Sequence, residues 1–206
     1  QALVPAGRGR SYGINVVGAG SGCAIVNNTL VTQGYGIAVG PGSTFNVSNN
    51  LVVNSKYYGL YTPNTASYTD HYRHNMVFSS FAGSQAVLTT SGWNTNLNNQ
   101  LTVDPLIEDD DWQELAFPRW WDGAVWQESL AVNTGLASAP SIPTVDITGK
   151  PRVIGANPDI GAFEFDPTAN REPRADAVTT PVLVPWNEPV TLNGSLATDP
   201  DGTIQT

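Results

Sequence analysis

Apolar positions come in short stretches that never fall into a helical period. Asn28-Thr29-Leu30-Val31, Asn50-Leu51-Val52-Val53 and Asn75-Met76-Val77-Phe78 each place a few apolar residues after an asparagine. Gly, Asn and Ser break up these stretches, which predicts short strands rather than helices. The pattern also recurs. Tyr-Gly-Ile or Tyr-Gly-Leu stands at Tyr12-Gly13-Ile14, Tyr35-Gly36-Ile37 and Tyr58-Gly59-Leu60, with spacings of 35 − 12 = 23 and 58 − 35 = 23. The asparagines Asn28, Asn50, Asn75 and Asn99 follow one another at 22, 25 and 24 residues. Two independent markers with one common period predict a solenoid.

A period near 23 fits one turn of a coiled parallel sheet with three short strands. Asparagine suits the corner of such a turn, because it tolerates left-handed backbone angles and its amide can bond the same amide one turn on. Asn28, Asn50, Asn75 and Asn99 are therefore expected to form a ladder that satisfies buried polar groups along the axis. Counting three positions back from each places Ile25, Val47, Tyr72 and Asn96 inward. The flanking Asn46, Ser48, His71, Arg73, Thr95 and Leu97 are then expected to point outward.

These features resemble the right-handed parallel β-helix of the pectate-lyase-like superfamily, over roughly residues 11 to 165. The later part of that region is similar to the C-terminal segment of many secreted bacterial β-helix proteins. Asp104-Pro105-Leu106-Ile107 is followed by Ser129-Leu130-Ala131-Val132-Asn133-Thr134-Gly135, then Asp146-Ile147-Thr148-Gly149-Lys150-Pro151-Arg152, then Asp159-Ile160-Gly161-Ala162-Phe163-Glu164. Leu130 and Asn133 depart from the Pro and Asp that family members often carry. The resemblance implies that this segment closes the helix. After a linker at 166–174, Ala175-Asp176-Ala177, Glu188-Pro189-Val190-Thr191-Leu192-Asn193-Gly194-Ser195 and Asp199-Pro200-Asp201-Gly202-Thr203 resemble the opening strands of a polycystic-kidney-disease (PKD) type immunoglobulin-like domain. Such a sandwich needs roughly 80–100 residues, so 175–206 is expected to be an incomplete β segment. The expected fold is thus all-β: a right-handed parallel β-helix over 1–165 with a C-terminal β extension.

Composition narrows the function classes. Charged residues are 13% of the 206-residue chain, net charge is −9, and hydrophobic content is 40% with six Trp. That content can bury a core, and no apolar run is long enough to span a bilayer. A negative chain argues against a nucleic-acid partner. Cys23 is the single cysteine, which removes an intramolecular disulfide framework. Charge is uneven along the sequence. Residues 1–100 hold Asp70 against Arg8, Arg10, Lys56 and Arg73, for +3, whereas residues 101–206 hold 17 acids against five bases, for −12. Few charges and abundant small polar residues are typical of extended extracellular β proteins, and an extracellular or cell-surface location is expected. The N-terminal residues carry no secretion signal, so the chain is expected to begin after processing or within a larger protein.

Candidate chemistry centres on the outward strip of Asn46, Ser48, His71 and Arg73. The resemblance implies that an acidic polysaccharide could lie along such strands, with Arg73 neutralising a uronate and His71 serving as base. The plainer reading is a solvated strand face. His74, beside Asn75, reads as a capping or stacking residue. A glycosidase needs two carboxylates and a Ca²⁺ lyase several, yet Asp70 is alone in the first hundred residues. The run Glu108-Asp109-Asp110-Asp111 and the pair Asp199 and Asp201 are the weak metal candidates, with Ca²⁺ the only cofactor to consider. Solvated loops are the first reading of both. Trp112, Phe117, Trp120, Trp121 and Trp126 read as a plug over the open solenoid end before they read as a sugar platform. Asn27, Asn46 and Asn193 match glycosylation acceptors.

Three functions remain. One is a non-catalytic structural β-helix of a filament, matrix or adhesin. Another is the C-terminal part of a polysaccharide lyase or glycoside hydrolase, and the third is a carbohydrate-binding module. The first includes head-to-tail self-association through the C-terminal strands, with the segment after Arg174 expected to pair with a neighbouring subunit. The first turn is expected to open near Tyr12 without a cap, and Pro181-Val182-Leu183-Val184 and Val190-Thr191-Leu192 are strand-like without a partner sheet. The charge split favours head-to-tail over head-to-head contact.

Overall fold

The computed structural model describes residues 11–17, 21–31, 34–40, 44–61, 71–78, 85–88, 98–101, 103–106, 125, 127–169, 178–180, 191–193 and 195. The strands, in chain order, are β1 (Tyr12–Val16), β2 (Ser21–Val26), β3 (Thr29–Val31), β4 (Tyr35–Val39), β5 (Thr44–Ser48), β6 (Leu51–Val53), β7 (Tyr58–Tyr61), β8 (Tyr72–Arg73), β9 (Met76–Phe78), β10 (Gln85–Leu88), β11 (Gln100–Leu101), β12 (Val178–Thr180) and β13 (Thr191–Asn193). The chain divides into two compact units, Gln1–Phe165 and Asp166–Thr206.

The first unit is built from three parallel sheets, ordered β1-β4-β7-β10, β2-β5-β8 and β3-β6-β9-β11. Each strand from β4 to β10 pairs with the strand three before it, and β11 with β9, which is the connectivity of a solenoid. The register repeats the sequence markers, since Tyr12 pairs with Tyr35 and Tyr35 with Tyr58. Inward columns follow from the alternation of side chains. Ile14, Ile37 and Leu60 form one, Ile25, Val47 and Tyr72 a second, and Leu30, Val52 and Val77 a third. They meet in a single apolar core that also includes Val39 and Phe45.

The Tyr-Gly repeat has a packing cause. A Cβ on Gly36 would collide with the carbonyl oxygen of Gly59 on the next turn and with Val52 Cγ1 across the core. Only glycine fits there. The tyrosines beside it stack, with the Tyr12 and Tyr35 rings 4.9 Å apart and Tyr61 edge-on to Tyr35 at 5.3 Å.

The corner before the third sheet divides two roles that the sequence reading had assigned to one asparagine. The left-handed residue is the one before the ladder position: Asn27 (φ 53°), Asn49 (φ 56°), His74 (φ 52°) and Asn98 (φ 55°). The following asparagines make the ladder. Each donates its own N–H and Nδ2–H to Oδ1 of the next, from Asn28 to Asn50, Asn50 to Asn75 and Asn75 to Asn99, at 2.9–3.1 Å. Asn50 also donates to the carbonyls of Ile25 and Ser48, Asn75 to that of Val47, and Asn99 to that of Tyr72. The division is physical. The left-handed residue turns the chain outward, and the next side chain is thereby directed along the axis among the carbonyls of the preceding strand.

The segment expected to close the helix is found along its flank. Ala131 and Ile160, together with Val125, pack on the outward side chains Leu51, Val53 and Met76. This sheet is therefore buried on both faces, and all three residues of β6 are buried. Between about 129 and 162 the segment, here called the strap, crosses three successive turns, touching Asn27 and Thr29, then Asn49, then His74. Because the strap lies beside the turns, its acids Asp146, Asp159 and Glu164 flank the solenoid rather than extend it.

In the second unit β12 pairs antiparallel with β13, Val178 opposite Asn193 and Thr180 opposite Thr191. The segment around Thr191-Leu192 thus has a partner strand within its own chain, contrary to expectation. That partner is 178–180, while Pro181–Val184 lies outside the described residues.

Candidate functional site

The outward strip on β5 and β8 is in register, with Val47 beside Tyr72 and Ser48 beside Arg73. Arg73 is exposed, and Asn46 and His71 are half-buried. Ser48 departs from the expectation. It is fully buried, and its hydroxyl has no hydrogen-bond partner among the described residues, so it offers nothing to a ligand. The strip narrows to Asn46, His71 and Arg73. Among described residues 11–101 the charged side chains are Lys56 and Arg73, with no carboxylate.

The row of left-handed residues makes a second constellation, and it grips the strap. Asn27 Nδ2 donates to the carbonyls of Asp159 (3.0 Å) and Gly161 (3.2 Å). Asn49 donates to Leu136 O and accepts from Leu136 N, while its own carbonyl accepts the Gly161 amide. The His74 ring meets Thr134 O at 2.7 Å through Nδ1 and Asn98 Nδ2 at 3.2 Å through Nε2. Nδ1–H is therefore the donor and Nε2 the acceptor. Thr29 Oγ1 accepts the Ala162 amide. Asn27 is buried, so the first glycosylation match is engaged with the strap.

Beneath this contact lies a group of buried charges: Asp146, Arg152, Asp159 and Glu164. Arg152 donates from its two terminal nitrogens to Gly161 O (2.8 Å) and Ala162 O (3.1 Å), and its Nε faces Glu164 Oε2 at 3.6 Å. The carboxylates hold backbone. Asp146 Oδ1 accepts the amides of Thr148 and Lys150 and the Thr148 hydroxyl, and Oδ2 accepts the Glu164 amide. Asp159 accepts the amides of Asn133 and Phe165, and Glu164 those of Ile154 and Asp159. Each acidic side chain thus uses both of its oxygens on the strap itself.

Burial is the largest influence on these groups, and the bonds then separate them. It pushes Glu164 up to about 7, with Asp159 adding to the rise and the two amides and Arg152 opposing it. It also raises Asp159, against the Asn133 and Phe165 amides and Arg152. Asp146 ends below the usual carboxylate value, because its four donors outweigh burial. Burial draws Arg152 down against the pull of Glu164, Asp146 and Asp159.

An open groove of about 300 Å³ runs between the corner and the strap, with Asn28 and Thr29 on one wall and Val145, Ile147 and Arg152 on the other. The charged groups at its wall are already engaged, so the groove presents no free acid, base or ligand set. No group of three metal-ligating side chains occurs among the described residues. Asp109, Asp111, Asp199 and Asp201, like Trp112, Phe117, Trp120, Trp121 and Trp126, lie outside them. Among the described residues no helix is long and apolar enough to cross a membrane.

Asp146, Arg152, Asp159 and Glu164 were each part of the quoted C-terminal motifs, yet sequence reasoning did not single them out as one charged group. The signal was present in their spacing: acidic and basic residues within short Gly-containing turns of a segment otherwise poor in charge. No family model, no curated protein and no solved structure matches the chain.

Proposed function

We propose that the chain is a non-catalytic, extracellular β-solenoid with a structural role at a cell surface or in a matrix, associating with further copies head-to-tail along the solenoid axis. The observation that carries this reading is the use made of the buried charges. Paired carboxylates in a glycosidase must face the scissile bond with free oxygens, whereas those of Asp146, Asp159 and Glu164 are occupied by backbone amides of the strap. Head-to-tail geometry is favoured by the polarity of the ladder, in which every step donates in one direction along the axis. The fold is read as right-handed and pectate-lyase-like, and the second unit as the opening of a PKD-type domain.

A second reading is favoured by the exposure of Arg73, a cation on the outward face of β8 beside β5. The face carrying Asn46, His71 and Arg73 then binds an acidic polysaccharide, either as a binding module or as the C-terminal part of a lyase or hydrolase.

Polygalacturonate and alginate incubated with the full chain decide between catalysis and structure. Neither unsaturated products nor new reducing ends are expected, and appearance of either overturns the non-catalytic reading. Sedimentation across a concentration series tests association. A single monomeric species at every concentration rejects the head-to-tail proposal.

A further inference from the structure

The strap is attached to the solenoid in a particular way. Its apolar contacts cover Leu51, Val53 and Met76, an outward strip that is apolar along the axis. Its polar contacts are made by backbone peptides at Leu136, Asp159, Gly161 and Ala162. Two of those peptides, Gly161 and Ala162, are also held from behind by Arg152. Arg152 in turn faces Glu164, whose carboxylate fixes the Ile154 and Asp159 amides. The peptides that dock on the solenoid are thus positioned by a charge group with three acids and one base.

We propose that this charge group is a proton-operated latch for the strap, tight in mildly acidic conditions and loosened as pH reaches and passes neutrality, so that loosening uncovers the apolar strip of Leu51, Val53 and Met76. The charged groups acting on Glu164 are Arg152 and Asp159, with Asp146 bound to its amide. The solenoid side of the contact supplies Asn27, Thr29 and Asn49, which do not titrate in this range. His74 touches the strap at Thr134, at the turn beyond Asn49.

With Glu164 protonated, Asp146, Asp159 and Arg152 sum to −1; with all three acids ionised the group carries −2 in a buried setting. Protonation turns one Glu164 oxygen into a donor and gives up one of its two amide bonds, a loss that relief of the buried charge outweighs while the folded value stays at about 7. The carboxyl is raised from 4.5 to about 7 in the folded chain. A group that holds its proton more tightly when folded favours the folded form below its unfolded value. That advantage is lost as pH rises from 4.5 towards 7. Local opening needs only this segment to yield, because the core inside the three sheets is separate from the strip outside them.

Two measurements on the full chain test the latch. Thermal unfolding followed from about pH 5 to about pH 8 is expected to show a melting temperature that falls on the order of 5 °C for the wild type and stays level, from a lower starting value, for Glu164→Gln, which removes the charge but faces one of the two amide donors with an NH₂ group. Amide exchange, corrected for its intrinsic pH dependence, is expected to accelerate at Leu136, Gly161 and Ala162 relative to Val52 and Val77 over the same range. Level wild-type melting, a fall that persists in Glu164→Gln, or equal acceleration in strap and core overturns the proposal. If Glu164→Gln does not fold, the wild-type exchange pattern decides alone.

Discussion

Asn49 and Leu136 stand 87 positions apart and exchange two hydrogen bonds, Nδ2 donating to the Leu136 carbonyl at 3.1 Å and Oδ1 accepting the Leu136 amide at 2.7 Å. A side-chain amide here does what the backbone of a neighbouring strand would do. Asn49 also turns the corner at φ 56°, and its carbonyl receives the Gly161 amide. One fully buried residue therefore sets a bend in the solenoid and ties down the strap at two points.

That double role can be separated. Asn49→Ala removes the Leu136 bonds and leaves an ordinary side chain in the left-handed region, with an expected loss of about 2–4 kcal/mol. Asn49→Gly removes the same bonds but relieves the angle, so it should be less damaging by about 1 kcal/mol. Urea unfolding of the three proteins measures both. Equal losses would mean that the backbone angle carries no cost at this corner.

The ladder makes a different demand. Asn50 is fully buried, donates to Asn75, Ile25 and Ser48, and accepts two bonds from Asn28. Asn50→Leu leaves those groups without partners and is expected to cost on the order of 3 kcal/mol or more. Wild-type unfolding in this variant would contradict the bond network described here.

How much of this was legible depends on what each residue does. Tyr12, Tyr35 and Tyr58 keep a strict period because their rings meet turn on turn, and at Gly36 the close approach of the next turn admits only glycine. The asparagine spacing was equally readable. Which asparagine of a doublet takes the left-handed angle was not, because Asn27-Asn28 and Asn49-Asn50 offer the same chemistry twice; the substitution of His74 in the first place of its pair was the available clue. The strap's position was written more faintly. Leu51-Val52-Val53 and Met76-Val77-Phe78 lack the alternation of a half-exposed strand, and continuous apolar strands are covered on both faces. What covers them is a segment roughly 50 to 110 residues further along the chain, and local pattern carries no record of that distance. Ser48 was misjudged for a related reason: alternation assigns a face, not whether that face is covered.

Ser48 offers a test of the outward strip. Its buried hydroxyl has no partner among the described residues, so Ser48→Ala should be neutral or stabilising by about 1 kcal/mol and leave any glycan affinity unchanged. Arg73→Ala should weaken acidic oligosaccharide binding if the strip binds at all. Titrations of wild type and both variants check the pair. Reduced affinity in Ser48→Ala would return Ser48 to the binding strip, whereas equal affinity in Arg73→Ala and wild type would remove the strip as a glycan site.

Asp146 answers to pH in the direction opposite to Glu164. Burial, its largest influence, raises its pKa, but the Thr148 hydroxyl and the Glu164, Lys150 and Thr148 amides together bring it below the usual value of 3.8. An acid with a lowered folded pKa contributes stability above its unfolded value and loses it as pH falls through the folded one. The protein should therefore lose stability below 3.8, as protonation weakens bonds that fix the turn at 146–150 and the Glu164 amide. Asp146→Asn keeps the shape but faces one of those donors with an NH₂ group. It is expected to cost about 1–3 kcal/mol near neutral pH, with the gap to wild type narrowing in acid. Melting temperatures of both proteins from about pH 7 down to about pH 2 check this. Curves that remain parallel throughout would show that Asp146 does not set the acid limb, and that another acid with a lowered folded value must.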